Sequence, residues 1–201
     1  FKKTAMAVAM TSALATPVMA DVSANLGFLS DYVFRGAQQN DSAAFAGLDY
    51  EHDTGIYAGV WGAEVGQGIE YDLYAGFANE FNGISYGVGY TAYRYTDNFD
   101  DNYDEVNFYL GYSIISLEYT TGEYDNFGNE QDYDFFAVTA EYEGFYVTYG
   151  SFGDDLDGDY IEGGYGAEIG GFDAGVSIVN SDEDLDDETT LIFSISKTFN
   201  L

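Results

Sequence analysis

Apolar and polar residues alternate with a period of two through most of the chain. Ile69, Tyr71, Leu73, Ala75 and Phe77 share one face of a stretch whose other face carries Glu70, Asp72, Tyr74 and Gly76. The same rhythm runs through residues 84–93, 106–112, 145–152, 172–179 and 191–199. Alternation at 180° per residue predicts β-strands. Short connections fall at 52–55, 81–83, near Ser113, at 143–144 and at 170–171. Asn82 with Gly83 and Gly170 with Gly171 are tight-hairpin chemistry. Long, mostly acid-rich connections alternate with them at 36–44, 96–104, 125–131, 153–159 and 181–187, with an abbreviated one at 66–68. About twelve strands result. The short–long alternation puts all tight turns, and both ends of the strand region, on one side, as in an up-and-down meander.

Assigning the two faces decides the fold class. The apolar face reads Leu26, Phe28, Leu48, Tyr57, Trp61 and Val65, and then Val106, Phe108, Phe136, Val176, Leu191 and Phe193. The other face carries Glu64, Glu70, Asp72, Glu118, Glu162 and Glu168 among many glycines. A soluble β-sandwich buries the first face; a transmembrane barrel turns it to lipid and the acids to a wet lumen. Strands of about ten residues suit a tilted bilayer crossing. Tyr and Phe gather near strand ends, as interface girdles do. The even strand number completes the case for an all-β transmembrane antiparallel barrel with short periplasmic turns and longer acidic extracellular loops.

The first twenty residues read differently. Lys2 and Lys3 precede an apolar run at 4–15, and Val18 and Ala20 place small or short side chains before Asp21. This is the three-part secretory pattern, with cleavage expected after Ala20. The expected organisation is a signal peptide at 1–20 and a barrel at 21–201. All 36 acidic residues follow the leader, against Arg35, Arg94 and Lys197 as the only basic ones there; the whole chain carries a formal charge of −31. That balance excludes nucleic-acid binding through basic patches. The absence of Cys excludes thiolate metal sites and disulfides. An aromatic content of 18% separates this chain from disordered acidic sequences.

The stretch 22–36, containing Asp31, Tyr32, Phe34, Arg35 and Gly36 and followed by Gln38, Gln39 and Asn40, resembles the opening motif of the TorF-like porin family. The likeness continues through Gly47 and Tyr50, residues 55–62, and residues 71–76. It implies a Gram-negative outer-membrane barrel that acts as a channel. Outer-membrane lipid, lipopolysaccharide and the barrel assembly machinery are then its expected partners. Such barrels usually end on an aromatic residue, whereas this chain finishes Phe199, Asn200, Leu201.

Catalytic chemistry is not legible. The one His, His52, lies beside a tight turn and has no nucleophile signature around it. Acids are too abundant for any chosen carboxylate pair to inform. No enzyme activity and no cofactor are expected. Asp155, Asp157 and Asp159 have the spacing of a calcium loop, but Tyr160 stands where Gly is needed and Gly166 where a bidentate Glu is needed. A solvated loop with loose divalent-cation binding is the expectation there.

The inward acids point further. Asp31 and Arg35, four residues apart, are expected to form an inward ion pair. Together with Glu64, Glu70, Asp72, Glu118, Glu162 and Glu168 they form the expected pore lining. One Arg cannot neutralise so many carboxylates, so the interior is expected to be hydrated. Inward glycines such as Gly76, Gly89 and Gly164 are expected to leave room. Passive diffusion of small polar or cationic solutes is the expected function. The alternative is a non-conducting structural or adhesion barrel with cation-binding acidic loops, its interior crossed by hydrogen-bonded Tyr74, Tyr93, Tyr109 and Tyr146.

Overall fold

The computed structural model describes residues 21–201; the expected leader lies outside them. In chain order the strands are β1 (Asp21–Leu29), β2 (Tyr32–Phe34), β3 (Ala37–Asn40), β4 (Ala43–Glu51), β5 (Ile56–Glu64), β6 (Ile69–Phe81) and β7 (Ile84–Tyr95). They continue as β8 (Tyr103–Tyr112), β9 (Ile115–Tyr124), β10 (Gln131–Tyr142), β11 (Phe145–Asp154), β12 (Asp159–Ile169), β13 (Phe172–Ser181) and β14 (Thr189–Asn200). Twelve of them form one closed antiparallel barrel, each pairing with its neighbours along the chain. β1 closes it, with Ala24 opposite both Leu48 of β4 and Phe199 of β14. The remaining two, β2 and β3, form a separate small hairpin.

The turns follow from backbone chemistry. Asn82 and Gly83 have φ of 53° and 78°, and Glu143 and Gly144 have 52° and 85°. Two successive positive φ angles are the signature of the tight turn that matches strand twist. The two-residue turns that join neighbouring barrel strands lie at one end, together with Asp21 and Leu201. Most connections at the other end are longer, and one includes a short 3₁₀ turn, Asn126–Gly128.

The outer face of the strands is apolar, and the inner face of most of them carries polar or acidic residues. Leu26, Leu73, Leu110, Ile161, Ile178 and Phe193 are each about half exposed on the outside. Glu70, Asp72, Glu105, Asn107 and Thr120 are fully buried inside. Apolar exposure that runs right round a molecule goes well beyond the isolated patches of soluble monomers. The belt is topped at the long-loop end by a repeated contact. Tyr90 donates to Asp104 (2.5 Å), Tyr119 to Asp134 (2.9 Å) and Tyr149 to Asp159 (2.9 Å). Arg94, outward as expected from its parity, pairs with Asp104 at 2.8 Å.

One strand has the opposite facing to that read from the sequence. On β5, Trp61 and Tyr57 point into the barrel and Val65 just beyond it is buried, while Ile56 and Val60 point out. Glu64 is therefore turned outward, where its carboxylate accepts the Ala44 N–H at 3.1 Å. Both faces of β5 are apolar, so alternation alone could not orient it. The aromatic face is inward because it packs against the β2–β3 hairpin.

Candidate functional site: a hairpin held across the lumen

The feature that organises the interior is the β2–β3 hairpin. β1 ends at Leu29, and the chain bends at Ser30 and Asp31. Ser30 is pinned to β14: its N–H donates to the Phe193 carbonyl and its Oγ accepts the Phe193 N–H, both at 2.9 Å. From there the chain folds into the barrel. Its tip is Arg35 and Gly36, with φ of 47° and 86°. A Cβ on Gly36 would lie 2.8 Å from the Tyr160 Cβ and 2.7 Å from a Leu185 methyl, so glycine meets both the dihedral and the contact.

Arg35 reaches the wall formed by β8 and β9. One guanidinium nitrogen pairs with Glu105; the other donates to Glu118 at 2.8 Å. The guanidinium also lies over the Phe135 ring, 4.2 Å from its centre. Glu105 is saturated by further donors: Tyr133 Oη at 2.6 Å, Asn107 Nδ2 at 2.9 Å and Tyr93 Oη at 3.1 Å. A buried ion pair is favourable only when its remaining valences are met in this way.

The rest of the hairpin is anchored around the lumen. Tyr32 donates to Glu70 at 2.5 Å and packs edge-on against Trp61, with ring centres 5.8 Å apart. Ser181 Oγ donates to the Gly36 carbonyl at 2.5 Å, and the Gln38 N–H donates to Asp186 in the last long loop. Apolar contacts reach two sides of the wall. Tyr32 and Phe34 join a cluster with Leu29, Ala63 and Val65; Val33 joins another with Phe135, Tyr160 and Ile192. At this level the lumen is filled by the chain's own residues.

The expected lining residues divide accordingly. Glu118 meets Arg35, and Glu70 meets Tyr32. Asp72 lies on the same inward face of β6. Glu162 accepts from Tyr146 and lines a cleft with Asp31, Val33, Ser177 and Ile192. Glu168 shares the inward parity at the tight-turn end, opposite Asp173. Two expectations are corrected. Glu64 faces outward. Asp31 and Arg35 do not pair: the bend after Ser30 and the turn at Arg35 separate them, and Asp31 accepts instead from Ser30 Oγ at 3.0 Å.

The inward glycines do not simply leave room. The Tyr57 hydroxyl lies over Gly76 and Gly89, Tyr74 over Gly59 and Tyr146 over Gly164. The glycines let aromatic rings lie against the wall. Among the loop candidates, Asp159 is engaged by Tyr149, and its N–H donates to Asp182 at 2.8 Å. Among the described residues no three carboxylate or imidazole groups converge as a metal site. Glu105 was missed by the sequence reading, which began that strand at Val106. Its shared parity with Asn107 and Tyr109 was the available signal.

Fold and site together define a twelve-stranded antiparallel β-barrel, apolar outside and acidic inside, with a luminal hairpin. The chain belongs to a bacterial family described as of unknown function, Gcw_chp, whose sequence model matches residues 13–189. No curated protein matches it. Among solved structures it is similar to the KdgM porin, at 7% identity and a TM-score of 0.59 over 89% of this chain and 99% of that one. The same values describe its similarity to the KdgM porin in complex with disordered oligogalacturonate. A structure from a study of in-meso crystallization of membrane proteins gives 9% identity and a TM-score of 0.62, covering 90% of this chain and 84% of that one. At these identities the likeness is one of fold. The TorF-like likeness stays a resemblance, spanning roughly residues 22–199, specific over the first third and of general β-barrel pattern afterward.

Proposed function

We propose that this chain is an outer-membrane channel of porin type, with the β2–β3 hairpin as its narrowest element, passing small polar or cationic solutes. The observation that carries this reading is the inverted barrel: an apolar belt outside, and carboxylates lining an interior wider than an eight-stranded barrel fills. The fold shared with the KdgM porin supports it. Diffusion down a gradient needs no catalytic group or cofactor. Acidic walls concentrate cations and repel anions. The Debye length at physiological salt is about 8 Å, so charge on a narrow wall is felt across the passage. Oligogalacturonate, a polyanion found with the KdgM porin, is a poor fit to a lumen with one Arg and this many acids.

Passage proceeds either along the cleft beside Asp31 and Glu162 or by displacement of the hairpin. The long loops face the exterior, the tight turns face the periplasm, and the leader is removed after Ala20. The outward Tyr–Asp contacts sit at the level of lipopolysaccharide head groups. The test is a planar-bilayer recording of the purified barrel in a salt gradient. A reversal potential showing cation preference is expected. Anion preference, or no conductance in either the natural chain or Arg35→Ala, would sink the proposal. The second reading, a non-conducting structural or adhesion barrel, is favoured by the apolar anchoring of Val33 and Phe34, and it gains if conductance is absent.

A further inference from the structure

We propose that Glu70 and Asp72 form a binding site for a divalent cation, Ca²⁺ by its chemistry, in the barrel wall behind the hairpin. The two residues are two apart on β6, so their side chains leave the same face of the sheet. Each is only 1% exposed. Glu70 Oε1 accepts from Tyr32, but Glu70 Oε2 and both carboxylate oxygens of Asp72 have no hydrogen-bond partner among the described residues.

Neither cross-strand neighbour of Asp72 hydrogen-bonds to it. Across the strands it faces Trp61 on β5 and Tyr93 on β7. Trp61 packs on Tyr32, and the Tyr93 hydroxyl donates to Glu105. Arg35 is committed to Glu105 and Glu118. Of the two other basic residues after the leader, Arg94 pairs with Asp104, and Lys197 lies over the Phe172 and Phe199 rings. Among the described residues no basic group is left to neutralise this pair.

Two buried carboxylates without a counter-charge are strongly disfavoured. Their charge must be met by a bound cation or by protons. The Tyr32 hydroxyl occupies one oxygen of Glu70, leaving its other oxygen and both of Asp72 open to a ligand. Oxygen-only ligands select a hard cation, and two carboxylates match a charge of two. Ca²⁺ tolerates irregular coordination completed by hydroxyl and water, whereas Mg²⁺ demands a near-ideal octahedron. With only two carboxylates the affinity belongs with extracellular calcium modules, about 10⁻⁴–10⁻³ M. Through Glu70 and Tyr32 the ion would tie the hairpin to β6. The inference does not depend on conduction, since a closed barrel would hold the ion equally well.

Trp61 is the only Trp in the chain and pairs directly with Asp72, so it reports on the site. The experiment titrates Ca²⁺ into the purified, chelator-treated barrel in lipopolysaccharide-free detergent. It follows Trp61 fluorescence and the temperature at which the folded band is lost on a heat-modifiability gel. A saturable fluorescence change with a midpoint in the stated range is expected, together with a rise in that temperature. Both should be lost in Asp72→Asn and kept in a variant with Asp155, Asp157 and Asp159 changed to Asn. Asp72→Asn should itself fold, since it removes an unpaired charge. The proposal is overturned if Asp72→Asn titrates like the natural chain. It is equally overturned if Ca²⁺ has no effect while acidification alone gives the fluorescence change, because the carboxyls then hold protons.

Discussion

The guanidinium of Arg35 lies 2.8 Å from Glu118 and is shared with Glu105, so one cation at a hairpin tip is bonded to two strands 70 and 83 residues further along the chain. It is the only basic side chain that reaches the interior among the described residues, and it sits where the hairpin crosses the lumen.

Removing that cation should therefore do two things. Arg35→Ala leaves Glu105 buried without its partner, a change that costs about 3–5 kcal/mol in comparable sites. The urea midpoint of the detergent-folded barrel measures this. If the hairpin limits passage, single-channel conductance should also rise. A variant with unchanged stability would show that the ion pair does not hold the hairpin.

The facing of β5 and β6 can be checked at Trp61 and Leu73. Trp61 points inward and Leu73 outward, the latter half exposed. Brominated lipid should quench Trp61 weakly, and a Trp placed at Leu73 in a Trp61→Phe background strongly. Leu73→Arg should destabilise by about 2–4 kcal/mol if it lies near the bilayer midplane. Strong quenching of the native Trp61 by lipid would overturn the inward assignment.

Selectivity should follow the acids that border the remaining cleft. Neutralising Asp31 and Glu162 together should move the reversal potential toward zero. Neutralising Asp182, Asp184, Asp186 and Asp187 in the last long loop should act mainly at low salt, because an exposed cluster is screened once the Debye length falls to about 3 Å near 1 M. Equal effects from both sets would place the selective region outside the lumen.

Topology is testable with introduced cysteines, since the chain has none of its own. A cysteine at Asn129, in a long loop, should react with an impermeant maleimide on intact cells. One at Asn82, in a tight turn, should react only after the outer membrane is opened. The reverse pattern would invert the orientation.

The sequence by itself determined the barrel. Period-two alternation set the strands, and turn chemistry at Asn82–Gly83 and Gly170–Gly171 set where they reverse. Both are local properties: a pleated strand shows alternate side chains to opposite faces, and a positive-φ turn accepts few residues. The inward parity of Glu70, Asp72, Glu118, Glu162 and Glu168 was legible for the same reason. The tertiary structure decided the interior. Residues 32–34 read as a continuation of the first strand and residues 36–40 as part of a loop, and nothing local says that they leave the wall and fold inward. The inversion of β5 depends on that event, because Tyr57 and Trp61 are apolar toward lipid and hairpin alike. The partners of Arg35 lie too far along the chain for spacing to reveal them, so Asp31, the near neighbour, looked right and Glu105, the distant one, went unseen. Faces can be read from a repeating pattern, whereas contacts across a closed barrel exist only once the ends of the sheet have met.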